Sequence, residues 1–136
     1  MILRPLRPWR RLAVPAIAGL LLAAPSIQAA SQLQFDIWMR DIDRRSVSVQ
    51  RHIAAQESDA ANLDARELER LYGLMEQYFA QDYPAADAAQ FSQDGRLLAA
   101  LIPGALERGD FEAAARAART LALACNDCHD PYKPFK

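Results

Sequence analysis

The stretch DFEAAARAARTLALACNDCH, residues 110–129, decides the fold class. Asp110 is a good N-cap for a helix, and Glu112 lies in the first turn, where a negative charge is favourable. Apolar side chains recur every three or four residues, which places them on one helical face. That face holds Phe111, Ala114, Ala118, Leu121, Cys125 and Cys128. The pattern predicts a helix that buries one stripe, with the only two cysteines of the chain on it.

Three further helices are predicted before this one, over about residues 32–56, 63–81 and 85–107. Two of them carry apolar stripes at bundle spacing. The stripes consist of Phe35, Met39, Ile42, Ser46, Val49 and Ile53 on the first and Leu68, Leu71, Met75 and Tyr78 on the second. Between these helices, the segment SDAAN at residues 58–62 is predicted to be a loop.

The third predicted helix is the least regular. Its expected buried face consists of Phe91, Leu98, Leu101, Ile102 and Ala105. Gly95 weakens it, and Pro103-Gly104 is expected to kink or end it.

The connections are short, so neighbouring helices should run antiparallel. Strand patterns are almost absent. The sequence therefore predicts an all-α protein, an up-down-up-down four-helix bundle over residues 31–136.

The first thirty residues have the pattern of a secretory signal peptide. Four arginines precede the apolar run LAVPAIAGLLLAA at residues 12–24, and small residues follow it. We therefore expect export to the periplasm, where cysteines pair or bind a group. Without this segment the chain keeps twelve basic and seventeen acidic residues, a net charge of about −5. That acidic balance argues against nucleic acid as a partner, and no later stretch is apolar enough to cross a membrane.

The pentapeptide CNDCH, residues 125–129, has three interpretations. Two thiols one helical turn apart, followed by an imidazole, have the spacing for covalent attachment of haem. A structural zinc site needs four ligands, and His52 is the only other histidine. A disulfide of the thioredoxin type belongs to a βαβ context, which this sequence lacks. The spacing favours haem over zinc and over a disulfide.

The chain resembles class II cytochrome c, the cytochrome c prime family of exported four-helix bundles. The resemblance rests on CNDCHDPYK, residues 125–133, which is similar to the family's C-x-x-C-H-x-x-[YF]-[KR] ending. It implies one covalent haem c, with thioether bonds at Cys125 and Cys128 and the proximal iron ligand at His129. It also implies a homodimer through the first two helices.

The resemblance implies that the first helix supplies the residue on the other side of the iron. Met39 is the best candidate ligand, since it lies early on the buried stripe of that helix; the alternative is that it is an ordinary core residue. Met75 and His52 are less favoured. Phe35, Trp38, Tyr72, Phe79 and Phe91 are candidate walls of the haem site, and Arg40 and Arg44 are candidate partners of the propionates or solvated residues.

No paired carboxylates, Ser/His/Asp set or phosphate loop indicates an enzyme. The expected function is one-electron transfer with redox partner proteins, with His/Met ligation of the iron. The alternatives are a five-coordinate protein that binds or senses small gases such as NO or CO, and a partner subunit of an exported oxidoreductase.

Overall fold

The computed structural model describes the backbone of residues 32–132 and the side chains of residues 32–129. The predicted signal peptide, residues 1–30, and Lys133 of the C-terminal motif lie outside the described residues. Four helices follow one another: α1, Gln32–Ala54; α2, Ser58–Gln77; α3, Ala86–Glu107; and α4, Phe111–Tyr132. No strand occurs within residues 32–132.

The four helices form the predicted antiparallel bundle. Each packs against its sequence neighbour, and α1 closes the ring by packing against α4. The core is built from the predicted stripes: Ile42, Val49 and Ile53 of α1, Leu68 and Leu71 of α2, Ile102 of α3, and Ala114, Ala118 and Leu121 of α4 are all buried. None of the described helices has an apolar stretch long enough to cross a membrane.

The reversal between α1 and α2 is tighter than predicted. Residues 58–62, expected to be a loop, are the first turns of α2, and Ala61 is fully buried. The turn needs only three residues because Gln56 adopts φ 58°. Glu57 N–H donates to the His52 carbonyl at 2.9 Å and Gln56 N–H to the Ile53 carbonyl at 3.0 Å, the two bonds of a Schellman motif. Such a turn normally carries glycine, so nothing in the local residue pattern indicated it.

A single π-helical turn, Tyr78–Asp82, extends α2. It is closed by a hydrogen bond of 2.8 Å from Tyr83 N–H to the Tyr78 carbonyl. Tyr78 and Phe79, adjacent in sequence, are both buried there. Inserted turns of this type often occur at functional sites.

The third helix differs from its prediction in two respects. Of the two outcomes expected at Pro103, a kink or the end of the helix, the second is wrong: Pro103 is buried inside α3, and burial of neighbours such as Ile102 and Leu106 offsets the missing backbone hydrogen bond. Leu101, expected in the core, is 61% exposed. The buried face consists mostly of small residues, among them Ala88, Ser92, Gly95 and Ala99. Asp110 caps α4 as predicted, since its Oδ1 accepts from Ala113 N–H at 2.8 Å.

Candidate functional site

The buried stripe of α4 leads directly into a cavity. Leu121 is fully buried, and Cys125 and Cys128 continue its face toward the end of the helix, where both thiols are half-buried and unpaired. The Cys125 thiol donates to the Leu121 carbonyl at 3.7 Å, one helical turn earlier. His129, the next residue along the chain, also lines the cavity. The three residues of the CNDCH motif that bear the chemistry therefore line one space.

The cavity has a volume of about 310 Å³ and is mainly apolar. This volume lies within the usual range for small-molecule and cofactor pockets. The α1 residues that line it are Gln32, Phe35, Asp36, Met39 and Ile42; α2 and the segment after it contribute Tyr72, Met75, Tyr78, Phe79 and Tyr83; α3 contributes Phe91, Ser92 and Gly95; and α4 contributes Ala124, Cys125, Cys128 and His129. All four helices thus build the site.

Two methionines line this cavity together with His129. Met39 comes from the α1 stripe and is half-buried, whereas Met75 comes from α2 and is almost fully buried. The antiparallel order brings the start of α1 beside the end of α4, and Met39 and His129 therefore line the same cavity. The ligand role of Met39 stays a prediction. His52 does not line the cavity.

An aromatic cluster forms one wall. The Phe35 ring stacks on the Tyr78 ring with centroids 4.8 Å apart, and Phe79 meets Phe35 edge-on at 5.5 Å. Tyr83 stacks parallel to Tyr78 at 6.3 Å and is the exposed edge of the cluster. Tyr78 and Phe79 are the first two residues of the π-helical turn, and both are buried. Trp38, another expected wall residue, packs against the core and does not line the cavity.

Tyr72 connects the core to the cysteine motif. Its ring is buried against Gly95, and its hydroxyl lies 3.8 Å from Cys125 Sγ. Burial is the main cause that raises the pKa of Tyr72 above its ordinary value, and the adjacent Cys125 thiol adds to it. The hydroxyl is therefore protonated near neutral pH.

The electrostatics of the cavity disfavour a thiolate at the second cysteine. Burial raises the pKa of the Cys128 thiol, and the charge of Asp87 and the neighbouring Cys125 raise it further. Cys128 is therefore a neutral thiol at the pH of most compartments. Among the described residues, no group of three or more His, Cys, Asp or Glu side chains could hold a metal ion.

The predicted propionate partners lie elsewhere. Arg40 and Arg44 border a separate shallow depression on the outer face of α1. Arg40 Nε donates to the Asp36 carbonyl at 3.2 Å, and Arg44 pairs with Asp41. Both arginines are exposed, as the solvated alternative expects, and neither lines the cavity.

His52 belongs to a different polar cluster. Its Nδ1 lies 3.0 Å from Asp64 Oδ2, and Arg45 Nη1 lies 2.6 Å from Asp64 Oδ1. Asp64 is buried, which is unusual for an acidic residue. It lies on the buried face of α2 between Ala61 and Leu68. Its contacts with Arg45 and His52 on α1 offset the cost of burying the carboxylate.

Several site residues were not singled out from the sequence. Ser92 and Gly95 have low helix propensity, and Tyr83 lies in a predicted connection between helices, yet all three line the cavity. Only Tyr83 had a usable signal, since an aromatic residue beside Tyr78 and Phe79 suggests a cluster. Comparisons with protein families, curated proteins and solved structures found no match to this chain.

Proposed function

We propose that this chain is an exported c-type cytochrome of the class II kind, which holds one covalent haem and transfers single electrons between partner proteins. The observation that carries the proposal is that Cys125, Cys128, His129 and Met39 line the same mainly apolar cavity. The basic and apolar pattern of residues 1–30 supports export to the periplasm.

The residues present fit a haem. Cys125 and Cys128 are unpaired thiols one turn apart on one helix face, the spacing that attachment to two vinyl groups requires. On attachment, each thiol would form a sulfur–carbon bond to one vinyl carbon and its hydrogen would go to the adjacent carbon, so no oxidant would be needed. His129 would supply the proximal nitrogen and Met39 the distal thioether.

A bound haem supplies an iron that cycles between the ferric and ferrous states by one electron. The protein supplies the environment. A thioether ligand favours the ferrous state and raises the reduction potential. The cluster of Phe35, Tyr78 and Phe79 keeps water from one side of the cavity. A mature net charge of about −5 suits docking to basic partner proteins.

The test is the visible spectrum of the full-length chain expressed with a working cytochrome maturation system. The expected protein is coloured, its haem resists extraction with acid acetone, and its reduced form has sharp low-spin bands. His129→Gln should abolish the normal low-spin spectrum. His52→Gln is the matched control, because His52 lies outside the cavity, and it should leave the spectrum unchanged.

A colourless protein would overturn the proposal. A coloured protein with a broad high-spin spectrum that shifts with carbon monoxide would instead support the gas-binding alternative. A variant with both Cys125 and Cys128 replaced by alanine should lose covalent attachment in either case.

A further inference from the structure

On the basis of the proposed function, the geometry points to Tyr72 as a positioning residue. Its hydroxyl donates a hydrogen bond to Cys125 Sγ and thereby raises the reduction potential of the haem. Tyr72 lies on α2, 53 positions before Cys125, and no pattern in the sequence links the two.

The Tyr72 ring has little freedom to move. It lies so close to Gly95 of α3 that a Cβ added there would be 2.5 Å from ring carbon Cε1 and 2.7 Å from Cδ1. The side chain is only 8% exposed. A ring confined in this way directs its hydroxyl at a fixed point, and that point is the sulfur of Cys125, 3.8 Å away. Sulfur is a large atom, so hydrogen bonds to it are longer than those to oxygen, and this one is at the long end of their range.

The polarity of this hydrogen bond follows from the other contact of the sulfur. The Cys125 thiol proton is directed to the Leu121 carbonyl, so Sγ presents a lone pair to Tyr72 and the tyrosine hydroxyl is the donor. The raised pKa of Tyr72 agrees with this assignment, because it keeps the hydroxyl proton in place. A thioether sulfur has no proton of its own, so attachment of Cys125 leaves it able only to accept.

A hydrogen bond to a sulfur that is bonded to the haem draws electron density away from the haem toward that sulfur. The positive end of the O–H dipole is directed toward the cavity, where it favours the state that holds one more electron. Hydrogen bonds of this kind around a redox centre are recognised determinants of its potential. Reduction takes up one electron from a partner protein and breaks no bond, so Tyr72 need not transfer a proton.

The test measures midpoint potentials of four holoproteins: wild type, Tyr72→Phe, Cys125→Ala, and the double variant. Tyr72→Phe keeps the ring that packs on Gly95 and removes only the hydroxyl. A hydrogen bond of ordinary net strength changes an equilibrium constant by about 2- to 10-fold. We expect Tyr72→Phe to lower the equilibrium constant for reduction by at most that factor, a fall of no more than about 20–60 mV at about 59 mV per factor of ten, because only the difference in hydrogen-bond strength between the two redox states enters.

The Cys125→Ala variant shows whether Tyr72 acts through the Cys125 sulfur. With Cys125→Ala, which leaves one thioether bond at Cys128, Tyr72→Phe should no longer shift the potential. Tyr83→Phe makes the same chemical change at the exposed edge of the cavity and should shift the potential less than Tyr72→Phe does.

An unchanged potential in Tyr72→Phe with normal haem content overturns the role of Tyr72 and leaves the proposed function standing. An equal shift in the presence and absence of Cys125 also overturns it, because the hydroxyl would then act on something other than that sulfur. A wild-type chain without covalent haem overturns the proposed function and the redox role together, and this is visible before any variant is compared.

Discussion

Gly95 of α3 and Tyr72 of α2 are in such close contact that no side chain fits between them. A Cβ on Gly95 would lie 2.5 Å from the Tyr72 ring, far inside ordinary van der Waals separation. Gly95 is unfavourable for the α3 helix by itself, but its missing side chain leaves the space that the Tyr72 ring occupies. The position of the Tyr72 hydroxyl beside Cys125 depends on this contact.

Gly95→Ala should destabilise the protein by about 1–3 kcal/mol, because overpacking displaces a confined ring or the backbone. The measurement is the free energy of unfolding from a urea titration. Gly73→Ala is the matched control: its added Cβ would meet only the flexible Arg96 side chain, at 3.5 Å. Alanine is the better helix former, so Gly73→Ala should stabilise by about 0.4–1 kcal/mol. Equal effects of the two changes would contradict the packing argument.

Met39→Ala and Met75→Ala should have different consequences although both side chains line the cavity. Loss of Met39 should leave the haem attached, convert the iron to high spin and lower the potential, since the thioether ligand is gone. Loss of Met75, which is 4% exposed, should cost about 2–5 kcal/mol of stability and leave the spin state unchanged. Visible spectra and urea titrations of both variants distinguish the roles. A spin change in Met75→Ala alone would move the ligand assignment to Met75.

Asp64→Asn should destabilise the bundle by about 1.5–3 kcal/mol, because hydrogen bonds to a buried charge are lost. Asp64 is in contact with Arg45 at 2.6 Å and with His52 at 3.0 Å, and its side chain is 8% exposed. Asp41→Asn is the control, since its partner Arg44 is 76% exposed and such surface pairs contribute about 0–1 kcal/mol. Thermal or urea unfolding of the two variants measures the difference. Similar small losses in both would mean that the buried cluster contributes little.

Gln56→Gly should stabilise the protein by about 0.5–1 kcal/mol. Gln56 has φ 58°, a left-handed conformation that costs an L-residue about 1–2 kcal/mol and costs glycine only its greater chain entropy. Gly109 occupies the equivalent place after α3 with φ 70°, and a Cβ added to it would have no atom within 4 Å. Gly109→Ala should therefore destabilise by about 1 kcal/mol through backbone strain alone. Urea titrations giving the same sign for both changes would contradict this account.

Stability should fall at alkaline pH in a way that depends on Tyr72. Burial raises the pKa of Tyr72 in the folded protein above the ordinary value of about 10. The unfolded chain therefore loses this proton first, so the contribution is complete below about pH 10 and declines as the pH rises beyond it. The decline is at most about 1.4 kcal/mol per pH unit. Urea titrations above pH 10 should show a steeper loss for wild type than for Tyr72→Phe, and parallel curves would refute the claim.

Helical periodicity was sufficient to predict the fold class and most of the core. Stripes such as Leu68–Leu71–Met75 and Ala114–Ala118–Leu121 are local patterns, since residues three and four positions apart share a helix face wherever that helix packs. Short connections then leave few arrangements other than an antiparallel bundle. The CNDCH motif is local in the same sense, because one turn of α4 places both cysteines on one face.

The sequence by itself determined the four helices, most of the buried faces of α1, α2 and α4, and the cluster of thiols and imidazole at the end of α4. Only the tertiary structure decided which residues lie near those groups. Met39 and Met75 both line the cavity, whereas Arg40 and Arg44 do not. The missing side chain of Gly95 leaves room for the Tyr72 ring, whose hydroxyl lies beside Cys125. These relations join residues on different helices. They depend on helix rotation, on the π-helical turn and on the volume of each side chain, which no short-range spacing specifies.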